Sequence, residues 1–253
     1  MPLVLDRKRH DGTRLLVWRI NESEETLFSL LSSRFHNIYF SRLQCLKSAK
    51  RRLEWVASRV ILHTVAGVES PLEYDEYGAP AFSGTDYKVS ISHGGGFVFV
   101  VLSENSIGID VQQYSDKLFN VSNAFLNASE RMMLSLCSEM NGVSENEAGF
   151  SSQKQEIRSK DEYTRRKLLL VWSAKEAVYK LCGIHNLNLK ENVVVKTDGV
   201  HGFGYTTASV SPDSGRSIVV PYERVGVRYF FVGNIIFVVA EGEDAPSVHP
   251  DKS

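Results

Sequence analysis

A carboxylate lies inside an apolar stretch of the sequence, Ile107-Gly108-Ile109-Asp110-Val111-Gln112. Successive side chains of a β-strand alternate between its two faces, so Asp110 and Gln112 are expected on one face and Ile109 and Val111 on the other. A carboxylate among Ile and Val must be paired, hydrogen-bonded or bound to a cation, because burying a bare charge is costly. Asp110 is therefore a candidate metal ligand. The alternative is a carboxylate at a strand end that caps a neighbouring turn.

A second candidate group lies in the segment Trp172-Ser173-Ala174-Lys175-Glu176-Ala177-Val178-Tyr179-Lys180. Glu176 and Lys180 are four residues apart, so both project from the same face of a helix. Together with Asp110 they could form a site in which Glu176 binds a metal ion and Lys180 binds phosphate. Taken without Asp110, the same pair is an ordinary solvent-exposed salt bridge worth about 0.2–0.5 kcal/mol.

The composition is that of a soluble globular protein. The chain has 253 residues, of which 43% are hydrophobic, and 29 basic and 30 acidic side chains leave a net charge of −1. This balance argues against a nucleic-acid-binding protein, which is usually basic. Cys45, Cys137 and Cys182 show neither zinc-ligand nor disulfide spacing, which favours a reducing compartment. We find neither a signal peptide nor an apolar run of the about 20 residues that span a bilayer, so we expect a cytoplasmic protein with no membrane partner.

Patterning predicts alternating helices and strands without the regular rhythm of a doubly wound sheet, and hence an α+β fold. We expect helices at residues 22–31, 48–66, 128–136 and 166–181, and strands at 15–20, 88–92, 97–102, 107–111, 193–196, 228–232 and 235–240. A helix followed by apolar strands occurs twice, which suggests half-domains at 1–102 and 103–240. Residues 138–166 are polar and are expected to form a mobile surface insertion, and 241–253 a flexible tail.

Four segments in order carry a family resemblance: Tyr77-Gly78-Ala79-Pro80, Ser90-Ile91-Ser92-His93, Gly108-Ile109-Asp110, and Trp172 through Lys180. In this combination the chain resembles the 4′-phosphopantetheinyl transferase superfamily, and more closely the larger type that activates surfactin synthetase and similar carrier proteins. The resemblance implies two similar α+β halves related by a pseudo-two-fold, with coenzyme A in the cleft between them. It also implies an enzyme that is a monomer and depends on Mg²⁺. Such an enzyme transfers the phosphopantetheine arm of coenzyme A to a serine of an apo acyl or peptidyl carrier protein and releases adenosine 3′,5′-bisphosphate.

The resemblance implies roles for individual residues. Asp110, Gln112 and Glu176 correspond to metal ligands, and Lys180 neutralises the phosphates beside Glu176. This agrees with the chemistry, because Mg²⁺ prefers oxygen ligands and a pyrophosphate under attack is stabilised mainly by positioning and charge. His93 corresponds to a histidine beside the 3′-phosphate of the coenzyme; alternatively it is a polar residue that ends a strand before a glycine turn.

Further residues have a role implied by the resemblance and a structural alternative. Glu130 corresponds to a carboxylate near the metal and the incoming serine, as third ligand or general base, or it simply opens a helix. Lys175 corresponds to a motif lysine on the coenzyme side, or braces its helix. Ser92 serves backbone geometry or hydrogen-bonds the ligand. In the basic cluster, which comprises Arg42, Lys47, Lys50, Arg51, Arg52 and Arg59, either Lys50 or Arg51 contacts coenzyme phosphate, or the basic face is merely solvated.

Two positions depart from the family pattern. Gln112 stands where the surfactin-type pattern has a second acidic residue, and Ala79 stands where many members have lysine. These departures leave a second hypothesis open, a non-catalytic relative that binds coenzyme A or a carrier protein without turnover. A third, an unrelated metal-dependent phosphohydrolase, lacks the usual clusters of His or Asp residues. The sequence does not identify the carrier protein or its pathway, and we expect the 138–166 segment to influence the choice of partner or to be an idle loop.

Overall fold

The computed structural model describes the backbone of residues 2–85, 87–139, 150–197, 199–212 and 220–243, and side chains within those ranges except at 135–161. The predicted mixed α+β architecture, with several sheets, is confirmed. The chain divides into two compact units, Met1–Gln112 and Gln113–Ser253. In the described part of the chain, no helix is long and apolar enough to cross a membrane.

The first unit is built on a four-stranded antiparallel sheet of order β1-β2-β6-β5. Its strands are β1 (Leu3–Lys8), β2 (Arg14–Arg19), β3 (Leu72–Tyr74), β4 (Pro80–Phe82), β5 (Lys88–Gly94), β6 (Phe97–Ser103) and β7 (Ile107–Gln113), the last of which contains the division between the units. Strands β3 and β4 form a separate hairpin. Its helices are α1 (Glu24–Ser29), α2 (Ser33–Gln44) and α3 (Ala49–Arg59), and α3 continues as a π-helical segment, Val60–Val65.

Helix α3 supplies the core of the first unit. Ser48 caps its N-terminus by accepting the N–H of Arg51, and the helix then buries Val56 and Ala57, both without solvent exposure. These side chains pack with Val100 and other residues of β6 in one apolar cluster. Each fully buried aliphatic side chain contributes about 1.5–3 kcal/mol to folding. The end of α3 that carries Lys50, Arg51 and Glu54 is thereby held rigidly on the sheet.

A buried hydrogen-bond chain joins α2 to the segment after α3. The Leu72 N–H donates to the Tyr39 hydroxyl, which donates to Nε2 of His63 at 2.8 Å. Nδ1 of His63 in turn donates to the Val68 carbonyl at 2.7 Å. Because a carbonyl oxygen only accepts, Nδ1 of His63 carries a proton, and in the neutral ring Nε2 is then the acceptor for the Tyr39 hydroxyl. Burial lowers the pKa of His63, although the Val68 hydrogen bond opposes that shift.

The second unit contains an antiparallel sheet in which four strands pair in the order β11-β10-β9-β8. These strands are β8 (Val193–Val195), β9 (Phe203–Val210), β10 (Arg224–Val232) and β11 (Ile235–Gly242), and the helices are α4 (Asp116–Asn120), α5 (Ala128–Glu139), α6 (Phe150–Cys182) and α7 (Leu189–Asn192). Helix α6 packs along β11, burying Ala174, Ala177 and Val178 in the apolar cluster that contains Val238. This packing fixes the helical segment that carries Lys175, Glu176 and Lys180.

Several elements differ from the sequence expectation in extent. Helix α6 begins at Phe150, inside the segment expected to be an insertion, and residues 140–149 lie outside the described residues. The residues that extend the helix are rich in Glu, Lys, Gln and Arg, which favour helix. Strand β11 continues to Gly242, and residues 244–253 of the expected tail are outside the described part. Helix α2 and strands β1 and β9 were not predicted.

Candidate functional site

Serine hydroxyls join β5 to β7 within the first unit. The Ile109 N–H donates to Oγ of Ser90 at 3.2 Å, and the Val111 N–H donates to Oγ of Ser92 at 3.1 Å. Both serines are buried, at 4% and 6% exposure. Residues 90 and 92 lie on the same face of β5, so their two hydroxyls reach β7 side by side. They accept the N–H groups of Ile109 and Val111, which in a paired strand would bind backbone carbonyls. A short polar side chain is therefore required at each of these two positions.

Glycine completes this alternation at position 94. A Cβ atom added to Gly94 would lie 2.5 Å from the carbonyl oxygen of Val111, a distance that real contacts do not reach. Residues 90, 92 and 94 are thus all small because β7 approaches this face of β5 closely. The Ser-Ile-Ser-His-Gly segment is in part a packing requirement, independent of any ligand.

Asp110 is held by one of these serines, Ser92. Its side chain is buried, at 5% exposure, and Oδ1 accepts the hydroxyl proton of Ser92 at 2.7 Å. Its neighbours Ile109 and Val111 are fully buried, and Gln112, near the end of β7, is partly exposed. Ser92 therefore positions the Asp110 carboxylate while it binds the Val111 N–H.

The donor set on this strand fits a hard cation. A carboxylate and an amide oxygen two residues apart are ligands that Mg²⁺ accepts, with substrate oxygens and water completing the shell. Among the described residues, no group of three or more His, Cys, Asp and Glu side chains is gathered for a metal ion. A metal site at Asp110 would thus be of the open kind that relies on substrate phosphates rather than a closed protein cage.

Lys50 and His93, both predicted to contact the coenzyme, meet at a third residue, Glu54. The Glu54 carboxylate is 5% exposed; Oε2 lies 3.1 Å from Nδ1 of His93, and Oε1 lies 3.7 Å from Nζ of Lys50. Burial raises the pKa of Glu54, but hydrogen bonding and positive charge at His93, together with the Lys50 charge, outweigh it and lower the pKa overall. Glu54 was not predicted as a site residue. The only signal in the sequence was its i,i+4 spacing from Lys50.

The remaining basic residues of the cluster have different environments. Arg51 is exposed at the start of α3. Arg52 is paired with Glu24 at 2.7 Å and also donates to carbonyls of the preceding loop. Arg59 is buried, at 2% exposure, with its guanidinium 3.8 Å from the centre of the Trp55 ring and a hydrogen bond to Tyr74. Arg59 therefore belongs to the core, whereas Lys50 and Arg51 are exposed, as are Arg42 and Lys47.

Glu130 opens helix α5 by a capping box. The Glu130 N–H donates to Oδ1 of Asn127, and the Asn127 N–H donates back to Oε2 of Glu130. Glu130 is 2% exposed and also accepts the Val195 N–H, 65 residues away. These bonds favour the alternative in which Glu130 starts a helix. They do not suit the expected role as metal ligand or general base, because that role needs an accessible carboxylate.

Lys175 is the buried partner of Glu130. Its Nζ donates to Oε2 of Glu130 and to the carbonyl oxygens of Phe125 and Leu189, each at 2.8 Å. An ammonium group has three N–H donors, so all are used within the protein, and the residue has no solvent exposure. Burial lowers the pKa of Lys175, while Glu130 opposes that shift. The expected contact of Lys175 with coenzyme is therefore replaced by its alternative, that it braces the helix.

Glu176 and Lys180 project from the same face of α6, as their spacing predicted. Both side chains are partly exposed, whereas Ala174, Ala177 and Val178 on the packed side of the helix are fully buried. They belong to the second unit, whereas Asp110 and Gln112 belong to the first.

The Tyr77–Pro80 segment forms the turn of the β3–β4 hairpin. Oδ1 of Asp75 accepts the N–H groups of Tyr77 and Ala79, and Gly78 has a φ of +84°, a conformation that favours glycine. The Tyr77 side chain is 58% exposed. Asp75 thus fixes this turn and leaves its tyrosine open to solvent.

No protein-family model matches this chain, and no curated protein matches it.

Proposed function

We propose that this protein is a Mg²⁺-dependent 4′-phosphopantetheinyl transferase. The observation that carries the proposal is the Asp110 carboxylate, buried in an apolar strand and held by Ser92. Burying a carboxylate that only stabilised the fold would be costly, whereas a metal ligand must be held in place in this way. The order of the four sequence segments, from Tyr77 to Lys180, supports the same reading.

The proposal includes the architecture of the resembled family, with coenzyme A in a cleft between two similar α+β halves. Its support is that each unit has an antiparallel sheet with one helix packed on it, α3 on β6 and α6 on β11. The proposed location is the cytoplasm, the proposed state is a monomer, and the partner is an apo acyl or peptidyl carrier protein.

In the proposed reaction, the serine hydroxyl of the carrier attacks the phosphorus that bears the pantetheine arm. A phosphorus–oxygen bond forms to serine, and the bond to the leaving adenosine 3′,5′-bisphosphate breaks. Asp110, Gln112 and Glu176 would hold Mg²⁺, which would neutralise negative charge that develops on the phosphates. Lys180 contributes a further positive charge one helical turn from Glu176. Ser92 keeps the Asp110 carboxylate in position.

Recognition of the coenzyme falls to the first unit in this proposal. His93 and Lys50, or the neighbouring Arg51, supply positive charge to its phosphates from the start of α3 and the end of β5. Lys175 and Glu130 are not part of the proposed site, because their polar atoms are engaged with each other and with backbone groups.

The test is intact-mass analysis of several apo carrier proteins incubated with this protein, coenzyme A and Mg²⁺. We expect a mass gain of one phosphopantetheinyl group that is lost when EDTA is added. Asp110→Asn and Glu176→Gln should each abolish the gain, and Lys180→Ala should reduce kcat about 10²–10³-fold, as loss of one preorganised charge contact does. Glu162→Gln is the matched control, because Glu162 is an exposed residue of the same helix, in an ion pair with Arg166. Full activity of Asp110→Asn would overturn the metal assignment.

A second candidate function is a non-catalytic protein that binds coenzyme A or a carrier. The observation that favours it is Gln112, whose amide brings no negative charge to the proposed metal site. Binding of coenzyme A without a mass gain on any carrier, even at high Mg²⁺, would support this candidate over the first.

A further inference from the structure

Glu54 occupies an unusual place for an acidic residue, at the centre of the most basic part of the first unit. Its carboxylate is 5% exposed, while the two basic side chains that flank it are open to solvent, 74% for Lys50 and 43% for His93. The Lys50 contact, at 3.7 Å to an exposed ammonium, is of the kind that contributes little to stability. The His93 contact, at 3.1 Å, is a hydrogen bond to a buried group.

The geometry determines which nitrogen of His93 carries a proton. An ionised carboxylate only accepts hydrogen bonds, so Nδ1 of His93 must be the donor to Glu54. Nε2, on the opposite edge of the ring, is then directed away from Glu54. Nε2 donates to an anion only in the imidazolium, the form in which both ring nitrogens carry a proton. Without this carboxylate, the ring would lose the acceptor at Nδ1 and could turn.

We infer that Glu54 is a positioning residue for coenzyme recognition: it holds His93 by Nδ1 so that Nε2 faces outward, toward the 3′-phosphate of coenzyme A. This inference rests on the proposed function. Glu54 acts through His93 and does not touch the ligand. This role explains why an acidic residue is buried beside a site for an anion. The Glu54 carboxylate contacts the Nδ1 edge of the ring, which faces away from the proposed phosphate, and the Lys50 ammonium offsets its negative charge.

The test compares coenzyme A with 3′-dephospho-coenzyme A, which lacks only the phosphate in question. The variant Glu54→Gln keeps the size of the side chain and an oxygen that can accept from Nδ1, but removes the charge. We expect it to raise Kd and KM for coenzyme A about five- to tenfold, the difference between a charged and a neutral hydrogen bond. Binding of the dephospho compound and kcat should change less than twofold. His93→Ala should remove the preference for coenzyme A, and adding Glu54→Gln to it should have no further effect.

Controls separate positioning from loss of fold. Glu69→Gln, at an exposed acid of the same unit, should leave both ligands unaffected. Nitrogen-15 NMR of histidine in the wild-type protein should show the His93 proton on Nδ1 in its neutral form. If Glu54→Gln weakens both compounds equally, or lowers kcat with KM unchanged, Glu54 has only a structural role. An Nε2–H tautomer in the wild type would overturn the geometry directly.

The same measurements distinguish this inference from the proposed function. Binding of coenzyme A with a Glu54-dependent preference for the 3′-phosphate, but without transfer to any carrier, would overturn the transferase and support the role of Glu54. Conversely, if Glu54→Gln still transfers the arm and keeps the wild-type preference for coenzyme A over the dephospho compound, the transferase is supported and the role of Glu54 is overturned. Failure of the wild-type protein to bind either compound would overturn both.

Discussion

Replacing Lys175 by methionine separates a structural from a coenzyme-binding role for this lysine. Methionine fills nearly the same space but removes the ammonium that Glu130, Phe125 and Leu189 share. Glu130 then remains buried with its two backbone N–H donors and no cation. Breaking a buried pair in this way costs about 3–5 kcal/mol.

We therefore expect Lys175→Met to lower the free energy of unfolding by about 3–5 kcal/mol. A loss of this size is far larger than that of an exposed ion pair, which contributes about 0–1 kcal/mol.

The assay is urea unfolding followed by fluorine NMR of 5-fluorotryptophan. The chain has three tryptophans, and Trp172, which packs on Phe125, reports on the second unit. The double variant Glu130→Gln with Lys175→Met should recover part of the loss, because neither charge is left alone. Glu162→Gln, in an exposed pair on the same helix, should cost less than about 0.5 kcal/mol. Wild-type stability of Lys175→Met, or a double variant no more stable than Lys175→Met alone, would refute the reasoning.

Three further outcomes are expected. Gly94→Ala should cost about 1–3 kcal/mol in urea unfolding because its Cβ meets the Val111 carbonyl, whereas Gly202→Ala, with open space around it, should be nearly neutral. His63 has a lowered pKa in the folded state, so below pH about 6.5 the unfolded chain binds more protons than the folded one. The free energy of unfolding should therefore fall by up to about 1.4 kcal/mol per pH unit as the pH decreases, and the variant His63→Gln should lack this decrease. Gln112→Glu should shift the Mg²⁺ dependence of transfer to lower concentration, and an unchanged dependence would place residue 112 outside the metal shell.

The sequence was sufficient to predict an element wherever the apolar residues that pack in the core also form a regular pattern along the chain. The strand around Asp110 was predicted because a short run of Ile and Val between polar turn residues is typical of a strand, and β7 extends over Ile107–Gln113. Helix α3 was found from its apolar stripe for the same reason. The start of α6 was missed because residues from Phe150 onward form helix through backbone propensity, which leaves no apolar periodicity to detect.

The partners of the site residues could not be read from the sequence. Glu130 and Lys175 are 45 positions apart in the chain, and their pairing depends on how α5 packs against α6. Glutamate and lysine serve both in catalytic sites and in buried ion pairs, so only the burial of these side chains distinguishes a structural from a catalytic role. Glu54 was missed for the converse reason, since its partner His93 comes from a different element and an acid in a basic cluster has no motif.

The serine contacts between β5 and β7 can be measured apart from the backbone ladder of the first unit. Strand β5 is joined to β6 by a continuous backbone ladder from Lys88 to Gly94, whereas Ser90 and Ser92 bind β7 through their side-chain hydroxyls, with hydrogen bonds of about 1 kcal/mol each. Opening these hydroxyl bonds breaks no rung of the β5–β6 ladder. Hydrogen exchange at the Ile109 and Val111 amides therefore reports on how often the serines release β7, separately from the opening of the sheet.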